Sequence, residues 1–165
     1  LVKQKRFDLL IEALSIAIEE NKNIVLEIYG EGPEKKALDD QINKLQVHNF
    51  VKLKGFKFPL QTEIESADIF VLSSDYEGFP NVLLEAMSLG LAIVATNCPT
   101  GPADMIENGR NGILVEAGSA KDLGAAIITL SNQSDLRHRL GEKATLVSKT
   151  FNEAAIFKKW KSIID

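Results

Sequence analysis

Residues 68–96 read Asp68-Ile69-Phe70-Val71-Leu72-Ser73-Ser74-Asp75-Tyr76-Glu77-Gly78-Phe79-Pro80-Asn81-Val82-Leu83-Leu84-Glu85-Ala86-Met87-Ser88-Leu89-Gly90-Leu91-Ala92-Ile93-Val94-Ala95-Thr96, and this stretch decides the fold. Asp68 to Leu72 and Ala92 to Thr96 are short, nearly continuous apolar runs, the pattern of strands buried on both faces. Between them a polar loop opens a helix of about Pro80 to Leu89 that stops at Gly90. Upstream, Phe7, Leu10, Ile11, Leu14, Ala17 and Ile18 recur every three or four residues, so a helix with one buried face ends near Asn21. The alternation continues with strand Ile24 to Tyr29, helix Pro33 to Leu45, strand Phe50 to Leu53 and short helix Leu60 to Ser66. Downstream come a loop with Pro99, Gly101 and Pro102, strand Gly112 to Val115, and helices over Ala120 to Leu130, Ser134 to Ser148 and Asn152 to Ile164. Strands alternating with helices at this spacing predict a doubly wound α/β domain, its parallel sheet covered on both faces, with five visible strands and a helical tail.

A chain of 165 residues, 45% hydrophobic and 25% charged, fits one domain over residues 1–165, and no linker or repeat divides it. The 19 Lys and Arg against 23 Asp and Glu, net charge -4, argue against a general polyanion binder, so no nucleic-acid partner is expected. The longest wholly apolar stretch, Leu91 to Ala95, is far short of the ~20 residues of a membrane-spanning helix. The lone Cys98 cannot form an internal disulfide, which sets the expectation of a reducing, cytoplasmic setting. His48 and His138 have no ligand-spaced partners, so no metal site is expected.

Ligands of open α/β sheets bind beyond the carboxyl ends of the strands, and three loops there are informative. Gly30-Glu31-Gly32-Pro33 could let an anion approach a helix start, or be a plain tight turn. Lys35 stands where a dinucleotide fingerprint needs its third glycine, and Lys52 and Lys54 where it needs an acid. In the second loop, Gly78, Phe79 and Asn81 offer N–H groups around a helix end, with Glu77 outside it and Glu85 eight positions on. Two carboxylates flanking such an end suit sugar hydroxyls on either side of a diphosphate. The plainer alternative makes Glu77 a helix-start charge and Glu85 a solvated residue. The third loop, from Asn97 to Asp104, could present Thr100 and Gly101 to phosphate, or be a rigid turn.

The run Glu77-Gly78-Phe79-Pro80-Asn81-Val82-Leu83-Leu84-Glu85-Ala86-Met87 resembles the Glu-x7-Glu signature of GT-B glycosyltransferases, in particular the large retaining family four. Around it, in the family's order, stand Lys5 with Phe7-Asp8-Leu9-Leu10-Ile11-Glu12-Ala13, the Gly30 turn, Ala67 to Leu72, and Asn108-Gly109-Arg110-Asn111-Gly112-Ile113-Leu114-Val115. The resemblance spans the whole chain and implies the Rossmann-like, nucleotide-sugar-binding C-terminal half of such an enzyme, without the N-terminal half that holds the acceptor. A chain opening on Leu1 rather than Met agrees with a fragment.

The resemblance implies that Glu77, the catalytic candidate, holds donor-sugar hydroxyls, Glu85 accepts the ribose hydroxyls, and Lys5 faces the diphosphate. It places the N–H groups of Phe79, Asn81 and Val82, with Gly78 and Gly30, around that diphosphate, and Phe56 and Lys57 near the base. No metal or other cofactor is implied, because Lys5 and a helix end can balance the leaving diphosphate. The implied reaction moves a hexose-type sugar, with UDP favoured over GDP, to a saccharide or lipid-linked acceptor in bacterial surface polysaccharide or glycolipid synthesis. The sequence departs from the family at Arg6, where glycine is usual: either a second cation or a less close-fitting phosphate loop. The family also has a central strand just before the segment that begins here: either that strand lies outside this sequence, or the domain is incomplete as it stands, and ordinary two-sided coverage would then fail.

Two other readings stay open: a non-catalytic nucleotide-binding module, and a glycoside hydrolase using Glu77 and Glu85 as its acid pair. In the tail, Phe157, Trp160, Ile163 and Ile164 share a face that packs on this domain or on a neighbouring half. Lys158, Lys159 and Lys161 form either a solvated face or a peripheral contact with the inner membrane surface. The sugar-binding reading collapses if Glu77 and Glu85 point away from one another into solvent or packed core with no cavity between them.

Overall fold

The computed structural model describes residues 1–151. Five strands alternate with helices in the order α1 (Phe7–Glu20), β1 (Leu26–Tyr29), α2 (Lys35–Lys44), β2 (Val51–Gly55), α3 (Gln61–Ile64), β3 (Ile69–Leu72), α4 (Asn81–Ser88), β4 (Ala92–Thr96), α5 (Pro102–Met105), β5 (Ile113–Val115), α6 (Ala120–Asn132), α7 (Ser134–Ala144) and α8 (Val147–Thr150). A 3-10 turn over Lys3–Lys5 leads into α1. The chain therefore has the doubly wound, Rossmann-like α/β architecture with a helical C-terminal region. The helix expected over Asn152 to Ile164, with its apolar face and its lysines, lies outside the described residues. The single helix expected from Ser134 to Ser148 is broken after Ala144, where the backbone tightens and the Leu146 N–H donates to the Lys143 carbonyl at 3.3 Å.

β4 shows why its sequence is apolar throughout. All five of its residues are buried. Ala92 and Val94 join Leu9, Leu10, Ala13 and Ala17 of α1 and Leu123, Ile127 and Leu130 of α6 in one core. Ile93 and Ala95 point the other way, into a core with Leu83, Ala86 and Met87 of α4. Each leucine so buried contributes about 1.5–3 kcal/mol relative to exposure. α1 and α6 approach closely because residue 124 is glycine: a Cβ there would sit 2.9 Å from the Ala13 carbonyl oxygen.

The strands form two parallel sheets, β1-β2 and β3-β4-β5. In the three-stranded sheet Ile69 pairs with Ala92 and Val94 with Ile113. In the two-stranded one Leu26 pairs with Val51. α1 straddles both, because its Ile11, Leu14 and Ile18 pack with Ile28 of β1, Leu38 and Ile42 of α2, and Val51 of β2 in a third core. Between the facing edges of β1 and β3 runs a cavity of about 740 Å³, lined by all eight residues of the two strands, with Leu10 and Leu14 of α1 on its wall.

Coverage of both faces holds for β4 and fails for the two-stranded sheet. β2 alternates buried Val51 with exposed Lys52 and half-buried Leu53 with exposed Lys54. On the polar side, Glu27 accepts from the Tyr29 hydroxyl at 2.7 Å and from Lys54 Nζ at 3.2 Å. Among the described residues no helix is long and apolar enough to cross a membrane.

Candidate functional site

The carboxyl ends of β3 and β4, together with the turn before α1, bring four segments to one point. Ser73 and Ser74 follow β3 and are buried, 3% and 1% exposed. The Ser73 hydroxyl donates to the Lys5 carbonyl at 2.7 Å, and the Asp75 N–H donates to the Gln4 carbonyl at 2.9 Å. Gln4 Nε2 returns a hydrogen bond to the Tyr76 carbonyl at 2.7 Å. These bonds fasten residues 4–6 to residues 73–76. From β4, Thr96 Oγ1 donates to the Ser74 carbonyl at 2.6 Å. From the following loop, Thr100 Oγ1 donates to the Glu77 carbonyl, and the Glu77 N–H donates to the Pro99 carbonyl at 3.4 Å.

This frame holds the Glu77 carboxylate, 7% exposed, against Lys5. Lys5 Nζ lies 2.8 Å from Oε1 and 3.0 Å from Oε2, and Ser74 Oγ donates to Oε1 at 2.5 Å. A carboxylate so far out of water needs such partners, since an unpaired buried charge costs several kcal/mol. The pairing leaves capacity on both sides. A carboxylate offers about four lone-pair positions and an ammonium three protons, so three acceptor positions and two protons are used. One acceptor position on Oε2 and one ammonium proton stay unused among these bonds, with Lys5 itself 33% exposed. The pair therefore keeps capacity for one further donor and one further acceptor.

The other candidates divide. Arg6 adopts a left-handed backbone, φ 49°, at the start of α1. Its Nε and Nη2 donate to Asp8, and its Nη1 donates to Asp75 Oδ1 at 2.9 Å. Those bonds, to Asp8 first and Asp75 second, hold its pKa above the ordinary arginine value. Arg6 thus stands with two carboxylates on its guanidinium. Gly78 is exposed and Phe79 is 46% exposed, its ring 5.5 Å from that of Phe151. The Asn81 N–H, expected to be free for a ligand, donates to the Phe79 carbonyl at 2.9 Å, because the chain turns at Pro80 before α4 begins. The N–H groups of Phe79 and Val82 have no acceptor among the described residues.

Glu85 is half-buried on α4, and its carboxylate has no hydrogen bond or ion pair among the described residues. Neither glutamate lines the 740 Å³ cavity, which meets the site only through Lys5, Ser73, Ser74 and Val82. Glu77 is turned to Lys5 and Ser74, neither into open solvent nor into one of the apolar cores. Gly30, Phe56 and Lys57 follow β1 and β2 and make no hydrogen bond to this group. Gly30 donates to the Gly55 carbonyl at 2.7 Å, Lys57 lies 4.0 Å from Glu63, and Phe56 is 71% exposed. Among the described residues no three His, Cys, Asp or Glu are grouped to hold a metal ion. Sequence reasoning missed Ser74, Asp75 and Thr96. The usable signal for the serine and threonine was a hydroxyl residue at the end of an apolar strand.

Cys98, 4% exposed, sits beside this frame, and burial pushes its thiol above the ordinary value. Thiolate is the reactive form, so at pH 8 iodoacetamide should label Cys98 at least about tenfold more slowly in the folded protein than in denaturant. Equal rates, read by mass spectrometry, would contradict the burial.

The chain belongs to the glycosyl transferases group 1, whose family model matches residues 1–147. That membership sets aside the hydrolase reading of the two glutamates. Over 99% of the chain it is 35% identical to an exopolysaccharide phosphotransferase of Streptomyces coelicolor, of which the match covers 17%. It superposes with a TM-score of 0.94 and 31% identity on Staphylococcus aureus TarM crystallised with fondaparinux, α-GlcNAc-glycerol and UDP, covering 100% of this chain and 34% of that one. The C-terminal domain of a group 1 glycosyltransferase of Francisella tularensis matches over 92% of this chain and 81% of its own, with a TM-score of 0.83 and 25% identity. The chain spans about a sixth to a third of the length of the first two.

Proposed function

We propose that this chain is the donor-binding domain, residues 1–165, of an enzyme that moves a hexose-type sugar from UDP-sugar to a saccharide or lipid-linked acceptor, with retention at the anomeric carbon. The acceptor is held by another part of the protein, and the reaction serves bacterial surface polysaccharide or glycolipid synthesis. The observation that carries this reading is the Lys5–Glu77 pair, which keeps one ammonium proton and one acceptor position unused just before α4. The ammonium balances charge growing on the departing diphosphate while the carboxylate accepts from a sugar hydroxyl. The N–H groups of Phe79 and Val82 add fixed dipoles at the same helix end. The chain's own groups supply the positive charge, so the reading needs no metal. Glu85, half-buried with an unengaged carboxylate, takes the ribose hydroxyls, and Phe56 and Lys57 flank the base. UDP and an α-linked GlcNAc, bound together in the Staphylococcus aureus neighbour, support the donor class and the stereochemistry.

The test is calorimetric titration of UDP into the full-length protein and its Glu85→Ala variant. Losing a charged acceptor for hydroxyls removes about 1.5–3 kcal/mol, so affinity should fall roughly ten- to a hundredfold. Unchanged affinity would remove Glu85 from the ribose site.

A further inference from the structure

Two residues beside the site have no part in the reading above. Asp75 and Arg6 face each other across the same seam that Lys5 and Glu77 span, one residue further along on one strand of it and two residues back on the other. Asp75 is held twice by the segment carrying the lysine: its N–H donates to the Gln4 carbonyl at 2.9 Å, and its Oδ1 accepts from Arg6 Nη1 at 2.9 Å. Arg6 is held twice as well. Its backbone sits in the left-handed region that a long side chain rarely adopts, and Asp8 fixes Nε and Nη2 from the first turn of α1. With both ends fixed, the Arg6–Asp75 bond joins the Ser73–Lys5, Asp75–Gln4 and Gln4–Tyr76 bonds in setting the separation between the lysine turn and the β3–α4 loop. Lys5 is the residue next to Arg6, and Glu77 is two residues after Asp75, so that separation governs where the ammonium stands relative to the carboxylate.

Simple charge balance argues the other way. The cluster holds two cations, Lys5 and Arg6, and three carboxylates, Asp8, Asp75 and Glu77, for a net charge of -1. A site that must receive a diphosphate would gain affinity by losing Asp75. Its presence beside an otherwise cationic turn is explained by geometry and not by attraction for the anion.

We propose that Asp75 and Arg6 are a positioning pair, acting through Lys5 and Glu77 to hold the ammonium and the carboxylate in register with the donor. The inference rests on the sugar-transfer reading. A misplacement of about 1 Å at a reacting centre is enough to cost up to a hundredfold in rate.

The experiment is steady-state transfer by the full-length enzyme from UDP-sugar, comparing wild type, Asp75→Asn, Asp75→Glu and Arg6→Gln with Asp75→Asn. Thermal melts accompany each variant, and Asp75, 43% exposed, can be changed with little risk to folding. Asp75→Asn should lower kcat about tenfold while KM for the donor moves by less than threefold. Asp75→Glu, which keeps the charge and can still reach Arg6, should recover most of the loss. The double variant should be no slower than Asp75→Asn alone. An unchanged kcat in Asp75→Asn would overturn the proposal, as would a lower KM at unchanged kcat, since both leave Asp75 a mere surface charge. No transfer by the wild-type enzyme would instead strike the underlying reading.

Discussion

Glu77→Gln in the full-length protein is expected to lower transfer from the sugar nucleotide by about 10²–10³-fold, as removal of one preorganised polar group at a developing charge commonly does. The substitution keeps the volume and changes the charge and one acceptor. In the native site Oε1 accepts from both Lys5 Nζ and Ser74 Oγ, and Oε2 accepts from Lys5. A carboxamide has one acceptor oxygen and one NH₂ that only donates, so whichever way it turns, a donor faces a donor. With Glu77 7% exposed, water cannot readily repair the mismatch. The folded state should lose about 1–3 kcal/mol, a cost that a domain with 5–15 kcal/mol of stability survives. The measurement is kcat/KM together with a denaturant midpoint. A variant that transfers at the wild-type rate would show that the carboxylate only caps the loop, whatever happens to the midpoint.

How much of this was legible in the letters depended on sequence distance. β4 and α4 were readable because their cores are local patterns: five buried residues in a row, then small and apolar residues on one helical face ending at Gly90. The one-sided cover of the two-stranded sheet was also present, in the Val-Lys-Leu-Lys alternation of residues 51–54, but the continuous apolar character of the other strands outweighed it. The site was half legible. Glu77 and Lys5 could be named separately, but they are 72 positions apart, and no periodicity connects groups joined only by the closing of strands into a sheet. Each was therefore assigned to a ligand and not to the other. The Asn81 N–H was misjudged for a local reason: Pro80 has ψ 85°, outside the helix, so the first free amide folds back on Phe79.

Gly101→Ala should be the most damaging single-methyl change near the site, costing roughly 2–4 kcal/mol of stability and weakening UDP binding in the full-length protein. The loop after β4 looked like an independent phosphate-binding candidate, yet the structure makes it the support of the β3–α4 loop. A Cβ on residue 101 would lie 2.6 Å from Pro80 Cδ and 2.9 Å from the Gly78 carbonyl oxygen. Neither a proline ring nor a backbone carbonyl can swing aside, so the loop that carries Glu77 and the start of α4 must move as a unit. The backbone at Gly101 also has φ 90°, which adds a conformational penalty for any side chain. Gly109→Ala separates the two contributions. It shares a positive φ, 77°, but a Cβ there meets nothing within 4 Å, so it should cost only about 1–2 kcal/mol and leave UDP affinity unchanged. For a chain of this size each kcal/mol moves the melting temperature by about 2–4 °C, so the two variants should melt several degrees apart. Equal melting temperatures would mean that backbone conformation alone explains the cost. Unchanged UDP binding in a destabilised Gly101→Ala would mean that the two loops move independently and that the position of α4 does not depend on the one behind it.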